Sequence, residues 1–198
     1  MCLGIIRVAA PAPAGWPKPV LEDSVEFQVP EEGGSRASAS DLGSAPRIDA
    51  VAFARRREAL NGSLPLSSMP RLLAAGVADV GVLDWSVEGS LGRDEMQRQR
   101  EFLHIRTGFS PWMTCSRCLE PVQVHGLSTE TRFRLAASEA QAAAEDREAG
   151  LVEVIAAEAN LDLVALVEDE AILALPMAPA HDDCEWKPDA GADTSPEL

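Results

Sequence analysis

The sequence predicts an α+β fold, with an antiparallel sheet in the middle of the domain and helices near both ends. Between Val80 and Leu135 apolar and polar residues alternate, which is typical of half-buried strands. The alternation is clearest over residues 103–109. Helix-start and helix-stop residues flank this region on both sides.

Two helices are predicted before the sheet. The carboxylate of Asp49 is placed to cap the first, which is expected to end at Asn61-Gly62. A short second helix is expected to have Pro70 in its first turn and to end at Gly76.

The strands are predicted from the period-two pattern. Residues 80–87 and 103–109 give two of them, and residues 89–92 suit a turn or a strand end. Residues 121–127 and 129–135 are expected to form a further antiparallel pair, in which Phe133 and Leu135 face away from Arg132 and Arg134.

The C-terminal third is predicted to begin with an exposed helix over residues 138–148, followed by a strand over 151–155. Asn160 is expected to cap a last helix that Pro176 ends. Residues 1–45 are rich in Pro, Gly and Ser and are predicted to be a disordered or extended tail. Residues 46–188 form the expected single domain, and residues 189–198 a flexible acidic tail.

Charge is unevenly distributed along the 198 residues, whose formal net charge is -15. Residues 138–198 carry 16 acidic side chains against Arg147 and Lys187, so nearly all of the excess lies there. Such a surface repels phosphate and attracts basic partners. The sequence lacks a secretory signal and an apolar run long enough to span a bilayer, which predicts a cytoplasmic protein with reduced thiols and no membrane partner.

Two pairs of metal-ligand residues stand out. Cys115 and Cys118 form a Cys-x-x-Cys, and His181 and Cys184 form a His-x-x-Cys further along the chain. Two such pairs can supply the four corners of a tetrahedral zinc site. The alternatives are ordinary reduced cysteines with a solvent-facing His181, and a redox-active Cys-x-x-Cys, which the predicted strand-to-strand turn disfavours.

Catalytic residues are not evident elsewhere. His104 is expected on the sheet surface and His125 near a hairpin tip, and neither has a partner that would make it a catalytic base. A phosphate-binding Gly-rich loop is also missing. We therefore expect no enzymatic activity and no small-molecule substrate.

Two candidate contact surfaces follow from the charged residues. Arg117, Arg132 and Arg134 are candidates for contact with RNA phosphates, although a solvated sheet face paired with acids explains them equally well. A basic protein could instead bind an acidic surface that we place on the last helix, formed by Asp162, Glu168, Asp169 and Glu170.

The chain resembles the bacterial YceD-like family of large ribosomal RNA subunit accumulation proteins over roughly residues 46–188. Residues 115–121 (CSRCLEP), 162–170 (DLVALVEDE), 173–179 (LALPMAP) and 181–184 (HDDC) carry the resemblance. The Pro-rich residues 1–45 depart from the family's pattern. The family's Cys and His positions correspond to Cys115, Cys118, His181 and Cys184.

The resemblance implies a non-enzymatic role in the synthesis, processing or stability of large-subunit (23S) ribosomal RNA, that is, in ribosome biogenesis. The implied partner is ribosomal RNA or a basic large-subunit ribosomal protein. The alternatives from the residues are a zinc-stapled protein-binding module acting outside the ribosome and a thiol oxidoreductase.

Overall fold

A computed structural model of the chain describes residues 47–94, 96–147 and 152–184. The predicted tails, residues 1–45 and 189–198, lie outside the described residues. The elements, in chain order, are β1 (Arg47–Ile48), α1 (Ala50–Arg56), β2 (Ala59–Pro65), α2 (Pro70–Ala74), β3 (Val82–Arg93), β4 (Gln99–Phe109), β5 (Trp112–Thr114), β6 (Pro121–Gln123), β7 (Leu127–Ala136), α3 (Glu139–Asp146), β8 (Glu153–Ala156), β9 (Leu161–Asp162) and α4 (Leu163–Leu173). The predicted α+β class is confirmed.

The central sheet has the strand order β2-β3-β4-β7-β8. Neighbouring strands are antiparallel except β7 and β8, which run parallel. Two short ribbons accompany it, β1 with β9 and β5 with β6. Because β4 pairs with β3 on one side and β7 on the other, residues from both halves of the chain share this sheet.

The two faces of the sheet differ in what covers them. Leu103, Ile105 and Phe133 lie on the face that packs against α1 and α4, where the main hydrophobic core forms. Phe102, His104 and Arg132 lie on the opposite face by the period-two rule. There α3 packs on the β7–β8 end, through Ala142 with Ala136 and Val154.

The first of the two N-terminal helices ends earlier than predicted, and the second agrees with the prediction. Asp49 caps α1 as expected, its carboxylate accepting the N–H of Ala52 at 2.9 Å. The helix ends at Arg56, however, because Arg57 adopts a left-handed conformation with φ 53°. Asn61-Gly62, expected to stop the helix, lies inside β2. The predicted short helix is confirmed, with Pro70 in its first turn and Gly76 just beyond its end at φ 95°.

Residues 89–92 lie near the end of β3, which agrees with the strand end that was one of their two predicted roles and not with a turn. Two further predictions need correction. Strand β6 pairs with β5 and not with β7, since the chain crosses from the ribbon to the main sheet between them. Asp162 rather than Asn160 caps the last helix, because its carboxylate accepts the Ala165 N–H at 3.1 Å. That helix ends at Leu173, before Pro176.

Candidate metal centre

The first half of the site is the turn between β5 and β6, residues 115–120. The Cys115 N–H donates to the Glu120 carbonyl at 2.9 Å, and the Leu119 N–H donates to the Cys115 carbonyl at 3.0 Å. Leu119 has φ 63°, a left-handed conformation that glycine adopts more readily. Leu119 therefore holds, directly after Cys118, a backbone conformation that glycine usually supplies in a tight turn.

The second half of the site comes from residues 177–184, which follow α4 and return to this ribbon. The Ser116 N–H donates to the Pro179 carbonyl at 2.8 Å. The Arg117 guanidinium donates to the Cys184 carbonyl at 2.9 Å. These bonds bring His181 and Cys184 beside the first cysteine pair, so the structure unites the four residues that the sequence singled out.

The ligand atoms of Cys115, Cys118, His181 and Cys184 all lie within 4.8 Å of one another. Cys115 Sγ is 3.7 Å from Cys184 Sγ, and Cys118 Sγ is 3.6 Å from His181 Nδ1. A tetrahedral ion with Zn–S of about 2.3 Å and Zn–N of about 2.0 Å requires separations of roughly 3.8 Å and 3.5 Å. The two distances match this requirement, so the cluster could bind a metal ion.

A backbone carbonyl orients the histidine. His181 Nε2 lies 3.0 Å from the Pro121 oxygen, and a carbonyl only accepts, so Nε2 donates its proton there. In the neutral ring Nδ1 then keeps a free lone pair, and it faces Cys118. A hydrogen bond of this kind to the second ring nitrogen is usual for a metal-bound histidine.

The surroundings of the cluster shift the pKa values of its thiols in opposite directions. The Cys118 N–H, together with the Arg117 N–H at 3.4 Å, lowers the pKa of Cys115 to about 5. Burial and the neighbouring sulfurs raise the pKa of Cys184 to about 11. A hydrogen bond with Cys115 raises the pKa of His181. The lowered pKa of the buried Cys115 favours its thiolate, which is the form that binds metal ions.

The three arginines predicted to contact RNA differ in their exposure to solvent. Arg132 is exposed and its guanidinium lies 3.8 Å from the centre of the Phe102 ring. Arg134 is only 5% exposed and pairs with Glu145 at 3.2 Å, so its burial corrects the prediction that it reaches RNA. Arg117 remains exposed, although one of its nitrogens binds the Cys184 carbonyl.

The predicted acidic surface on the last helix also needs correction. Glu168 and Glu170 are buried, the first against α2 and the second beside Thr131 of β7. Burial raises the pKa of Glu170. Asp162 caps α4 and pairs with Arg47 at 3.1 Å. Asp169 alone of the four is largely exposed, and it pairs with Arg71.

Neither of the other two histidines lies in the cluster. His104 is partly buried on the outer face of the sheet, where burial and Arg132 lower its pKa. His125 is exposed in the connection between β6 and β7. Both positions agree with the surface roles expected from the sequence.

Sequence reasoning missed a buried carboxylate at the β3–β4 turn. Asp94 Oδ1 accepts the N–H groups of Met96 and Arg98, and Oδ2 accepts the Nε–H groups of Arg98 and Arg100. Burial alone would raise the pKa of Asp94, but these bonds outweigh it and lower the pKa to about 2. The signal available in the sequence was an Asx-type turn, because Asp94 and the two arginines are close enough in sequence for the carboxylate to bind within the turn.

Asp94→Asn is expected to lower the denaturation temperature near neutral pH, at about pH 7. Because the folded pKa lies below the ordinary 3.8, the carboxylate stabilises the fold above that pH and loses its effect as pH falls towards 2. Thermal unfolding measured at several pH values should therefore show that the difference in denaturation temperature between wild type and Asp94→Asn becomes smaller as the pH falls. Asp183→Asn, at an exposed position, is the control. A gap that does not change with pH would contradict this role of Asp94.

Fold and site together define an α+β protein in which a Cys3His cluster of metal-binding geometry joins a β-ribbon to the segment after the last helix. The model of the family described as large ribosomal RNA subunit accumulation protein YceD matches residues 103–197. Over these residues the chain matches the YceD family model, which confirms the resemblance seen in the sequence. Neither the curated proteins nor the solved structures include a match to the chain.

The matched range begins in β4 and contains all four residues of the Cys3His cluster. Strands β2 and β3, which precede that range, pair with β4 in the same sheet. Within the described residues, no helix is long and apolar enough to cross a membrane.

Proposed function

We propose that the protein is a non-enzymatic accessory factor in the synthesis, processing or stability of large-subunit (23S) ribosomal RNA in the cytoplasm. The observation that carries this proposal is the match of residues 103–197 to a family described by large ribosomal RNA subunit accumulation. That description names an effect on RNA abundance and no reaction. The role is therefore one in ribosome biogenesis.

A basic large-subunit ribosomal protein is the partner that charge favours. The formal net charge of -15 opposes binding to phosphate at long range and favours association with a basic surface. Asp169, Asp182 and Asp183 are exposed in and after α4, so acidic groups remain available after Glu168 and Glu170 are buried. Arg132 and Arg117 supply the competing RNA surface.

Zinc is the proposed cofactor, held by Cys115, Cys118, His181 and Cys184. Three sulfur ligands and one nitrogen within 4.8 Å of one another suit zinc or an iron–sulfur centre rather than a hard cation. The same site would serve the alternative function, a zinc-stapled protein-binding module acting outside the ribosome. The thiol oxidoreductase has less support, because Cys115 and Cys118 lie in a β-turn and not at a helix N-terminus.

Depletion of the protein in its own host should lower mature 23S RNA relative to 16S RNA, and re-expression of the wild-type chain should restore the ratio. Ribosomal RNA profiling and subunit sedimentation measure both. An unchanged ratio with normal subunit profiles would exclude the ribosomal role and leave the zinc-stapled module as the better reading. Crosslinking in the same cells should recover a basic ribosomal protein. Recovery of RNA alone would replace the protein partner with RNA.

A further inference from the structure

We infer that zinc bound at the Cys3His cluster acts as a clasp, holding the C-terminal segment (residues 177–184) against the β5–β6 ribbon. The inference rests on the zinc part of the proposed function and is independent of the ribosomal RNA part. Its basis is that the four ligands come in two pairs, one from the ribbon turn and one from the segment. An ion that binds all four joins two elements about sixty residues apart in sequence.

Among the described residues, few other contacts hold the C-terminal segment. It contains no helix or strand, and Met177 in it is fully exposed. Its apolar contribution to the core is limited to Ala180 and Cys184, which are partly buried. A segment with few buried apolar groups and no regular backbone ladder is expected to open readily.

Hydrogen bonds to the ribbon, as far as the described residues show them, involve the backbone of Ser116, the side chain of Arg117 and the carbonyl of Pro121. Each such bond replaces a bond to water, so its net contribution is small. A structural zinc ion contributes far more to folding than a few hydrogen bonds. The metal is therefore the principal connection between segment and ribbon.

The cluster has the composition of a closed, structural site. Four protein ligands fill the tetrahedron and leave no position for water or substrate, unlike catalytic zinc sites with three protein ligands. His181 is held for binding through Nδ1 by its Nε2–H bond to Pro121. The Arg117 N–H donates to Cys115 Sγ and offsets part of the thiolate charge. Each of these features stabilises the bound ion and none serves a reaction.

The test uses the full chain purified without an affinity tag. Elemental analysis should find one zinc per chain and little iron. Hydrogen–deuterium exchange, followed by mass spectrometry, should show a chelator raising exchange at least tenfold in residues 177–184 and in the ribbon turn. Exchange in β4 should change much less, and added zinc should restore protection.

Substitutions at His181 and at control positions test whether the effect of the chelator comes from the cluster. His181→Ala should lose zinc and expose the C-terminal segment, whereas His125→Ala, at an exposed position away from the cluster, should behave as wild type. His181→Cys keeps four ligands and should retain zinc. It provides the test at this position if His181→Ala fails to fold. Cys2→Ser, which changes the one cysteine outside the described residues, is the thiol control.

Several outcomes would overturn the clasp. Zinc that binds while exchange in the segment stays the same with and without chelator would leave the cofactor standing and remove the clasp. Exchange that rises equally in β4 would make the ion a general stabiliser of the fold instead. Absence of zinc, or iron in its place, would overturn the zinc part of the proposed function as well. The ribosomal RNA part of the proposed function is tested separately by the ribosomal RNA profile, and none of these outcomes bears on it.

Discussion

Glu168→Ala is expected to lower the free energy of unfolding by about 3 kcal/mol, because it leaves buried N–H groups without an acceptor. Glu168 Oε1 accepts the N–H groups of Arg71 and Leu72 at 2.7 and 3.1 Å. These groups begin α2, whose N-cap residue, Met69, makes no side-chain capping bond. A carboxylate on α4 thus caps α2 from across the interface between the two helices.

The neighbouring acid provides the matched control. Asp169 also pairs with Arg71, but both side chains are about half exposed, and such pairs contribute about 0.2–1 kcal/mol. Asp169→Ala should therefore change the denaturant midpoint little. Glu168→Gln, which keeps an oxygen acceptor, should fall between the two. Equal effects of Glu168→Ala and Asp169→Ala would show that the cap contributes nothing beyond surface charge.

The sequence predicted the features that depend on local chemistry. Asp49 caps α1 because an extended residue at the N-cap places its carboxylate within reach of the N–H three residues further on. The alternation over residues 103–109 gave β4 because period two follows from strand geometry itself. The Cys-x-x-Cys and His-x-x-Cys spacings identified the four cluster residues because each pair fits one short loop.

The features that the sequence did not predict depend on distant parts of the chain. Glu168 and Glu170 resemble a solvated charge run until α2 and β7 are placed beside α4. Arg134 similarly resembles a surface arginine until Glu145 of α3 lies next to it. The pairing of β6 with β5 rather than β7 is also a choice among partners, and alternation within a strand carries no information about its partner.

A glycine in the middle of β3 marks another such long-range contact. Residues 89–92 resembled a turn or a strand end because they contain two glycines, and Gly89 lies where α1 packs against the strand. A Cβ atom at Gly89 would lie 2.7 Å from both Ala54 Cα and the Phe53 carbonyl oxygen. The Gly89 N–H also donates to the Glu58 carbonyl at 2.8 Å. Gly89 is therefore required for close approach of the helix backbone.

Gly89→Ala is expected to lower the free energy of unfolding by about 3 kcal/mol or more, since the atoms it meets are backbone and cannot rotate away. Gly108→Ala, on the adjacent β4, meets no atom within 4 Å and should be neutral or stabilising by up to about 1 kcal/mol. Denaturant unfolding of the two variants beside wild type measures both effects. Similar stabilities for the two variants would mean that α1 can move away from β3 at little cost, and that the helix position is not fixed by this contact.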